Sequence, residues 1–177
     1  LCGFSSVTQA ASTLPDISAN KFGKLDIMYN NRICPIQTFA IDFTEKLYGS
    51  SSYNDYSAEQ VLTGFIFWND EWKNEPIIKI KDNTLRKYFG LPKYISINQL
   101  FDKNLGGYIL GPTVQEYYQG NHDKLHKAVV EIDDKVRLIM SLRHGEPLKI
   151  FPYGKGDNII WYSPKAQVPK SMDTDKS

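Results

Sequence analysis

The chain has 177 residues, a net charge of +1 and a hydrophobic content of 41%. This length and composition fit one globular domain with its own core. Its lysines and arginines are scattered and form no basic stripe, so we exclude nucleic acid as a partner. No apolar run approaches the ~20 residues that a helix needs to cross a bilayer.

The N-terminal stretch LCGFSSVTQAAS is uncharged, and the first acidic residue is Asp16. Its Thr8-Gln9-Ala10 is similar to the small-x-small end of an export signal, although the outer end of a membrane helix or a terminus without a role would fit too. We predict three segments: residues 1–19 are a remnant of an export signal or membrane-proximal leader, residues 20–164 are one extracytoplasmic domain, and residues 165–177 are a polar tail or linker.

The stretch FGKLDIMYNNRICPIQT predicts a β-hairpin followed by a helix. Apolar and polar residues alternate up to Tyr29, and Asn30-Asn31 suits a two-residue turn with positive φ. Pro35 ends the return strand. Thr38 is then expected to cap the helix by accepting a hydrogen bond from a backbone N–H. The helical period continues to Tyr48, and Gly49 is a natural end.

Shorter elements are predicted in the middle of the chain. They are a helix that begins with a Ser57–Gln60 capping box, a strand after Pro76, a short helix ended by Gly90, a strand from Tyr94 into a short helix, a loop over residues 104–112, and helical turns over residues 113–120. In the first of these helices Phe65 and Trp68 lie on the inward stripe. Phe67 and Trp72 fall off it, so they can form an exposed surface for a partner or a flat ligand, although covering by the loops after Gly49 is the commoner outcome.

The longest predicted helix runs over about residues 122–144, with apolar residues at helical spacing. A second hairpin follows, LKIFPYGKGDNIIWYSP, with GKGD as its turn. Helices and hairpins alternate without a βαβ rhythm. The sequence therefore predicts an α+β fold with short hairpins, a small antiparallel or mixed sheet and several amphipathic helices.

Few residues are candidates for chemistry. His122 and His126 are four apart, a spacing that can hold a metal, although solvated histidines at a helix start are the simpler interpretation. Cys34, placed just before Pro35, can be a haem or thiol ligand, or a small apolar residue packed in an edge strand. No constellation of side chains predicts catalysis.

The stretch YNNRICPIQTFAIDFTEKLYG resembles a pattern, Asn-Gly-Arg-x-x-Pro-x-x-Thr-x-Ala, of the extracytoplasmic domain in ResB/CcsA-type (system II) cytochrome c biogenesis proteins. The likeness continues through SAEQVLTGFIFWNDEWKNEP and LKIFPYG…NIIWYSP and covers about residues 20–164. The matching motif residues are Arg32, Pro35 and Thr38, with Asn31 at the usual glycine position.

The resemblance implies a non-catalytic periplasmic module, membrane-tethered in the full-length protein. Its partners would be apocytochrome c and the membrane subunits of a cytochrome c synthase, whose machinery is a haem lyase. Family members bind haem with membrane-proximal histidines and a tryptophan-rich segment, which do not correspond to residues of this chain, so haem is only a possible cofactor. The alternative function is a free-standing periplasmic ligand-binding or metal-binding protein, with a pocket that would include Phe67, Trp72 and Tyr117.

Overall fold

The computed structural model describes residues 10–166 apart from 103, 105, 106, 156 and 157. Helices dominate this part of the chain. The α-helices are α1 (Asp16–Gly23), α2 (Ile36–Tyr48), α3 (Ala58–Phe67), α4 (Asn69–Trp72), α5 (Asn83–Phe89), α6 (Gly111–Tyr118) and α7 (Lys124–Arg143), and a 3-10 turn covers Asn98–Leu100.

Each strand pairs with one antiparallel neighbour, so the described residues form five separate two-stranded ladders. The pairs are β1 (Asp26–Tyr29) with β2 (Arg32–Pro35), β3 (Ser52–Tyr53) with β4 (Tyr56–Ser57), β5 (Ile78–Lys79) with β6 (Tyr94–Ile95), β7 (Phe101–Asp102) with β8 (Gly107–Tyr108), and β9 (Phe151–Lys155) with β10 (Asn158–Tyr162). The α+β class is confirmed. A mixed sheet is not found among these ladders, because every pairing in them is antiparallel.

The predicted ends of the helices agree with the local chemistry. The Ser57 hydroxyl accepts from the Gln60 N–H while the Gln60 side chain accepts from the Ser57 N–H, which is the expected capping box. Gly49 and Gly90 end α2 and α5 in the left-handed conformation, with φ of 88° and 66°. These contacts are local in sequence, which is why the sequence alone predicts them.

The core is centred on the packing of α2 against α3, with one aromatic side chain from outside this pair. Phe43 and Phe65 lie edge to face, their ring centroids 5.5 Å apart, and Trp72 lies 5.2 Å from Phe65. Gly64 makes room for Trp72, because a Cβ at this position would lie 2.1 Å from the indole ring. The indole N–H donates to the Ser12 carbonyl at 2.7 Å.

Residues before position 20 take part in this packing. Residues 16–19, assigned to the leader by the sequence analysis, belong to α1, and Ala19 is fully buried. The Thr13 hydroxyl donates to the Gln60 carbonyl at 2.6 Å. The folded part of the chain therefore begins earlier than residue 20.

Two further elements differ from prediction. Residues 104–112 were expected to be a loop, but Gly107–Tyr108 forms β8, and Tyr108 stacks on Phe101 of β7 with centroids 5.1 Å apart. The long helix α7 begins at Lys124, with the Asp123 carboxylate capping it, so His122 precedes the helix. Both ends of α7 agree with the predicted range of 122–144 to within two residues.

Candidate docking surface around the first hairpin

The β1–β2 hairpin has the geometry that the Asn-Asn pair predicted. Asn30 and Asn31 have φ values of 51° and 59°, so both central residues are left-handed, as a two-residue turn of this type requires. The register places Tyr29 opposite Arg32 and Ile27 opposite Cys34. Directly opposite residues share a face, and this face packs on α2 with Ile27 fully buried.

Cys34 is packed rather than presented. Its side chain is 9% exposed and belongs to the main hydrophobic cluster, beside Ile27 on the inner face of the hairpin. A haem iron needs a sulfur atom that an approaching porphyrin can reach. The surroundings of Cys34 do not fit a haem ligand, and we derive no haem chemistry through it.

The other motif residues lie at or near the corner between β2 and α2, and the capping role predicted for Thr38 is not observed. Helix α2 begins at Ile36 with Pro35 as its N-cap, and no side chain caps it. Thr38 thus lies inside the first turn, where its hydroxyl is no longer placed to cap, and the predicted cap is wrong. Arg32 lies on the same face as Cys34 but one pair nearer the turn, where its side chain is exposed, and it belongs to none of the ion pairs formed by the described residues.

An open cleft of about 360 Å³ lies beside this hairpin, and we call it the corner cleft. It is lined by Met28, Tyr29, Asn30, Phe39, Asp42, Phe43, Lys46, Leu138, Pro147 and Lys149. The Tyr29 hydroxyl donates to the Asp42 carboxylate at 3.1 Å. Partial burial, and then this carboxylate, raise the pKa of Tyr29, so the hydroxyl stays protonated at neutral pH.

The corner cleft combines an apolar floor with a charged rim. Phe39 and Phe43 are almost fully buried below it, and the ring of Phe39 lies 5.2 Å from that of Tyr29. Lys46 and Lys149 at the rim are exposed cations. Such a surface can bind a short peptide, because apolar side chains find contacts on the floor and polar groups find partners at the rim.

Sequence analysis missed the three lining residues of the cleft that come from distant parts of the chain. Lys149 reaches the hairpin because its carbonyl accepts from the Met28 N–H at 3.0 Å, and Leu138 comes from α7. No pattern near Met28 or Tyr29 indicates these neighbours, which are more than a hundred residues away. Only the tertiary structure brings them together.

The two histidines predicted as metal ligands are not brought together as a site. His126 is buried, and its ring is held by Asp123 at 2.7 Å and by Glu116 at 2.9 Å. Hydrogen bonds to Glu116 and then Asp123 raise the pKa of His126 above its ordinary value. His122 is exposed and packs against Tyr117, with ring centroids 4.6 Å apart. Both nitrogens of His126 are therefore engaged by carboxylates.

Phe67 and Trp72, the predicted partner surface, lie in different environments. Phe67 is 54% exposed and packs edge to face against Phe22 and Trp68. Trp72 is fully buried, because α4 turns it back onto Gly64. The glycine in the middle of α3 was the available signal, since an isolated glycine in a helix commonly marks close packing. Because Trp72 belongs to the core and Tyr117 packs on His122, the three predicted pocket aromatics do not line one site.

In the described residues, no group of three or more His, Cys, Asp or Glu side chains is arranged to hold a metal ion. None of the helices in the same part of the chain has both the length and the apolar character needed to cross a bilayer.

Comparison with models of protein families finds none that matches the chain. Among curated proteins, the chain is similar to Protein NrfI of Wolinella succinogenes, with 24% identity over 153 residues. The matched region is 83% of this chain and 17% of that protein. The chain thus spans about a sixth of the length of the relative that it matches, and the matched region contains most of the described fold.

Proposed function

We propose that the chain is a non-catalytic periplasmic module of a cytochrome c maturation system of the synthase (system II) type. In this proposal it is tethered to the membrane in the full-length protein and docks apocytochrome c or the membrane subunits. The similarity to NrfI supports involvement in cytochrome c maturation, and it is the observation that carries the proposal. Peptide binding and variants of the corner cleft test the docking role.

The arrangement of the motif supports the docking role. Ile27 and Cys34 pack the β1–β2 hairpin against α2, and Pro35 restricts the backbone at the corner between β2 and α2. We therefore take the hairpin to be a rigid surface. The corner cleft opens beside this surface. A rigid surface binds a flexible peptide at a lower entropic cost than a mobile one, because only the peptide must become ordered.

The charges at the rim suggest how an apocytochrome segment would sit. Its Cys-x-x-Cys-His motif combines two weakly polar thiols with an imidazole. Asp42 can accept a hydrogen bond from the imidazole, while the thiols can pack against the partly exposed side chains of Met28 and Tyr29. We assign no haem ligand to this chain, because Cys34 packs in the hydrophobic core and both ring nitrogens of His126 bond carboxylates.

The test is a titration of the purified protein with a peptide that contains Cys-x-x-Cys-His under reducing conditions, followed by calorimetry. The matched peptide has both cysteines replaced by serine. We expect the cysteine peptide to bind more tightly, because burying a hydroxyl costs more than burying a thiol.

A pair of charge-matched variants locates the binding site. Lys46→Glu reverses a charge at the cleft rim, whereas Lys87→Glu reverses an exposed charge on α5. Both change the net charge equally, so general electrostatics affect both alike. We expect only Lys46→Glu to alter the affinity, by up to about fivefold. If neither the peptide, nor haem, nor the membrane subunits bind, the proposal loses its support.

A further inference from the structure

The β9–β10 hairpin, which we call the arm, has large apolar side chains on both of its faces. Its register pairs Phe151 with Tyr162, Tyr153 with Ile160, Pro152 with Trp161, and Gly154 with Ile159. Directly opposite residues share a face, and successive pairs alternate between faces. Phe151, Tyr153, Ile160 and Tyr162 therefore lie on one face, and Pro152, Trp161 and Ile159 lie on the other.

The rest of the protein leaves most of these side chains in contact with solvent, whereas Trp161 and Tyr162 are half-buried. Phe151, Tyr153, Ile159 and Ile160 are 53%, 46%, 53% and 59% exposed. The arm is fixed to the body at its root, where Leu148 is buried and the Lys149 carbonyl accepts from Met28. A two-stranded hairpin is only marginally stable alone in water, and apolar surface of this extent indicates a partner.

We propose that the arm inserts into the interface of a membrane that contains anionic lipids. The first reason is geometric. A groove on a protein covers one face of a ribbon, whereas the headgroup and upper acyl region of a bilayer surrounds the ribbon and can bury both faces. The second reason is side-chain chemistry, since tyrosine and tryptophan favour the membrane–water interface, where one end of the ring is apolar and the other is hydrated.

Charge is the third reason. Residues 149–165 contain three lysines and one aspartate, a net charge of +2, although the whole chain has only +1. Lys149 and Lys165, on either side of the arm, are exposed. Lysines next to an apolar segment attract it to anionic headgroups, with about fivefold in affinity for each lysine near the surface.

The arm can enter the interface but cannot cross the bilayer. Each strand has five residues, about half of the ~9–11 that a membrane-spanning strand needs. The outer edges of a two-stranded ribbon also leave backbone N–H and C=O groups unpaired, which the hydrocarbon core does not tolerate. At headgroup depth, water and phosphate oxygens satisfy these groups.

A second copy of the chain is the main competing partner. It would add to the arm through a strand edge, which leaves the apolar faces uncovered, and Pro152 removes one N–H donor from β9. The membrane buries both faces, so we favour it.

The test is flotation of the full 177-residue protein with vesicles of phosphatidylcholine and phosphatidylglycerol. We expect the protein to float with these vesicles, and to do so less with phosphatidylcholine alone or at high salt. The fluorescence of Trp161, taken as the difference between the protein and its Trp161→Phe variant, should shift to shorter wavelength on binding, because the half-buried indole loses its remaining contact with water.

Matched variants assign the binding to the arm. Phe151→Ser combined with Ile160→Ser is expected to reduce vesicle binding at least about tenfold, through the loss of buried apolar area. Ile17→Ser combined with Tyr88→Ser removes two large side chains elsewhere that are even more exposed, and it should leave vesicle binding unchanged. Circular dichroism of both pairs checks folding. The double variant with Lys149→Gln and Lys165→Gln should bind anionic vesicles more weakly, and its binding should depend less on salt concentration.

Three outcomes would overturn the proposal. They are failure of the protein to float with anionic vesicles, equal losses in the arm and control variants, and concentration-dependent dimerisation without lipid that the arm variant abolishes. The proposal is independent of the proposed function, because peptide binding is assigned to the corner cleft by Lys46→Glu and vesicle binding is assigned to the arm by Phe151→Ser with Ile160→Ser. Either result can fail while the other holds.

Discussion

The β1–β2 hairpin and the arm are both antiparallel ribbons, but they differ in what covers them. In the first, Ile27 and Cys34 are buried against α2 and the opposite face is exposed. In the arm, both faces have exposed apolar side chains, with Ile160 on one and Ile159 on the other. The two ribbons share antiparallel pairing, so the difference lies in their side chains and in what packs against each ribbon.

This difference shows that an apolar hairpin pattern predicts a ribbon but not its partner. The first hairpin is completed within the chain and serves as a rigid surface. The arm is completed by something outside the described fold, which we propose to be a membrane interface. We expect the two hairpins to differ as strongly in their contribution to the free energy of unfolding as they do in burial.

The largest expected difference in the free energy of unfolding is between two isoleucine variants, one in each hairpin. Ile27→Ala should lower the free energy of unfolding by about 3 kcal/mol, because it leaves a cavity in a fully buried site. Ile160→Ala, on the exposed arm, should change it by less than about 0.5 kcal/mol. Urea unfolding followed by circular dichroism measures both. Equal losses would mean that the arm packs against the body in solution.

The turn of the first hairpin should show a smaller effect. Asn31→Ala places a residue that disfavours positive φ at a φ of 59°, which should cost about 1 kcal/mol. Asn31→Gly relieves this restriction and should be neutral or stabilising. The same unfolding experiment compares the two variants, and a stable alanine variant would contradict the left-handed turn.

Two variants compare an observed helix cap, at Ser57, with the corner after β2, where Thr38 does not cap. Ser57→Ala removes an observed capping box and should cost about 1 kcal/mol. Thr38→Ala should cost less than about 0.5 kcal/mol, because Thr38 does not cap α2 and the corner is held by Pro35 and buried neighbours. If Thr38→Ala is as costly as Ser57→Ala, the first hairpin depends on this threonine in a way that its position in α2 does not explain.

The smallest expected effect is a pH dependence of stability around His126, which the arm should not share. Glu116 and Asp123 raise the pKa of His126, so the charged imidazole stabilises the folded state fully below its unfolded pKa of about 6.5. This contribution is lost as the pH rises through the raised pKa. The stability difference between the protein and His126→Gln should therefore shrink from about pH 6 to about pH 8.

Hydrogen exchange at the same two pH values, corrected for the intrinsic rate, provides the contrast. Protection of α6 and α7 should change with pH, and protection of the arm should not, because no residue of the arm contacts His126 among its described hydrogen bonds. A difference between protein and variant that grows toward high pH would contradict the assigned ion pairs.

Local chemistry made a large part of the fold predictable. The Asn30-Asn31 turn, the Ser57–Gln60 capping box and the Gly49 and Gly90 helix ends involve residues within a few positions of one another, and all four are present. The cap predicted at Thr38 is wrong because the N-cap of α2 is Pro35, three residues before the expected position. The prediction that Trp72 is exposed is wrong because its burial depends on close packing against Gly64, which hydrophobic periodicity does not describe.

The sequence by itself determined the α+β class, the two long hairpins and most of the helices, since hydrophobic period and turn residues act over short separations. The tertiary structure decided which faces are covered: it buried Cys34 and Trp72, engaged His126 with carboxylates, and joined Lys149 to Met28 to form the corner cleft. The physical reason is that burial depends on neighbours from distant parts of the chain. Residue type and local spacing do not specify those neighbours.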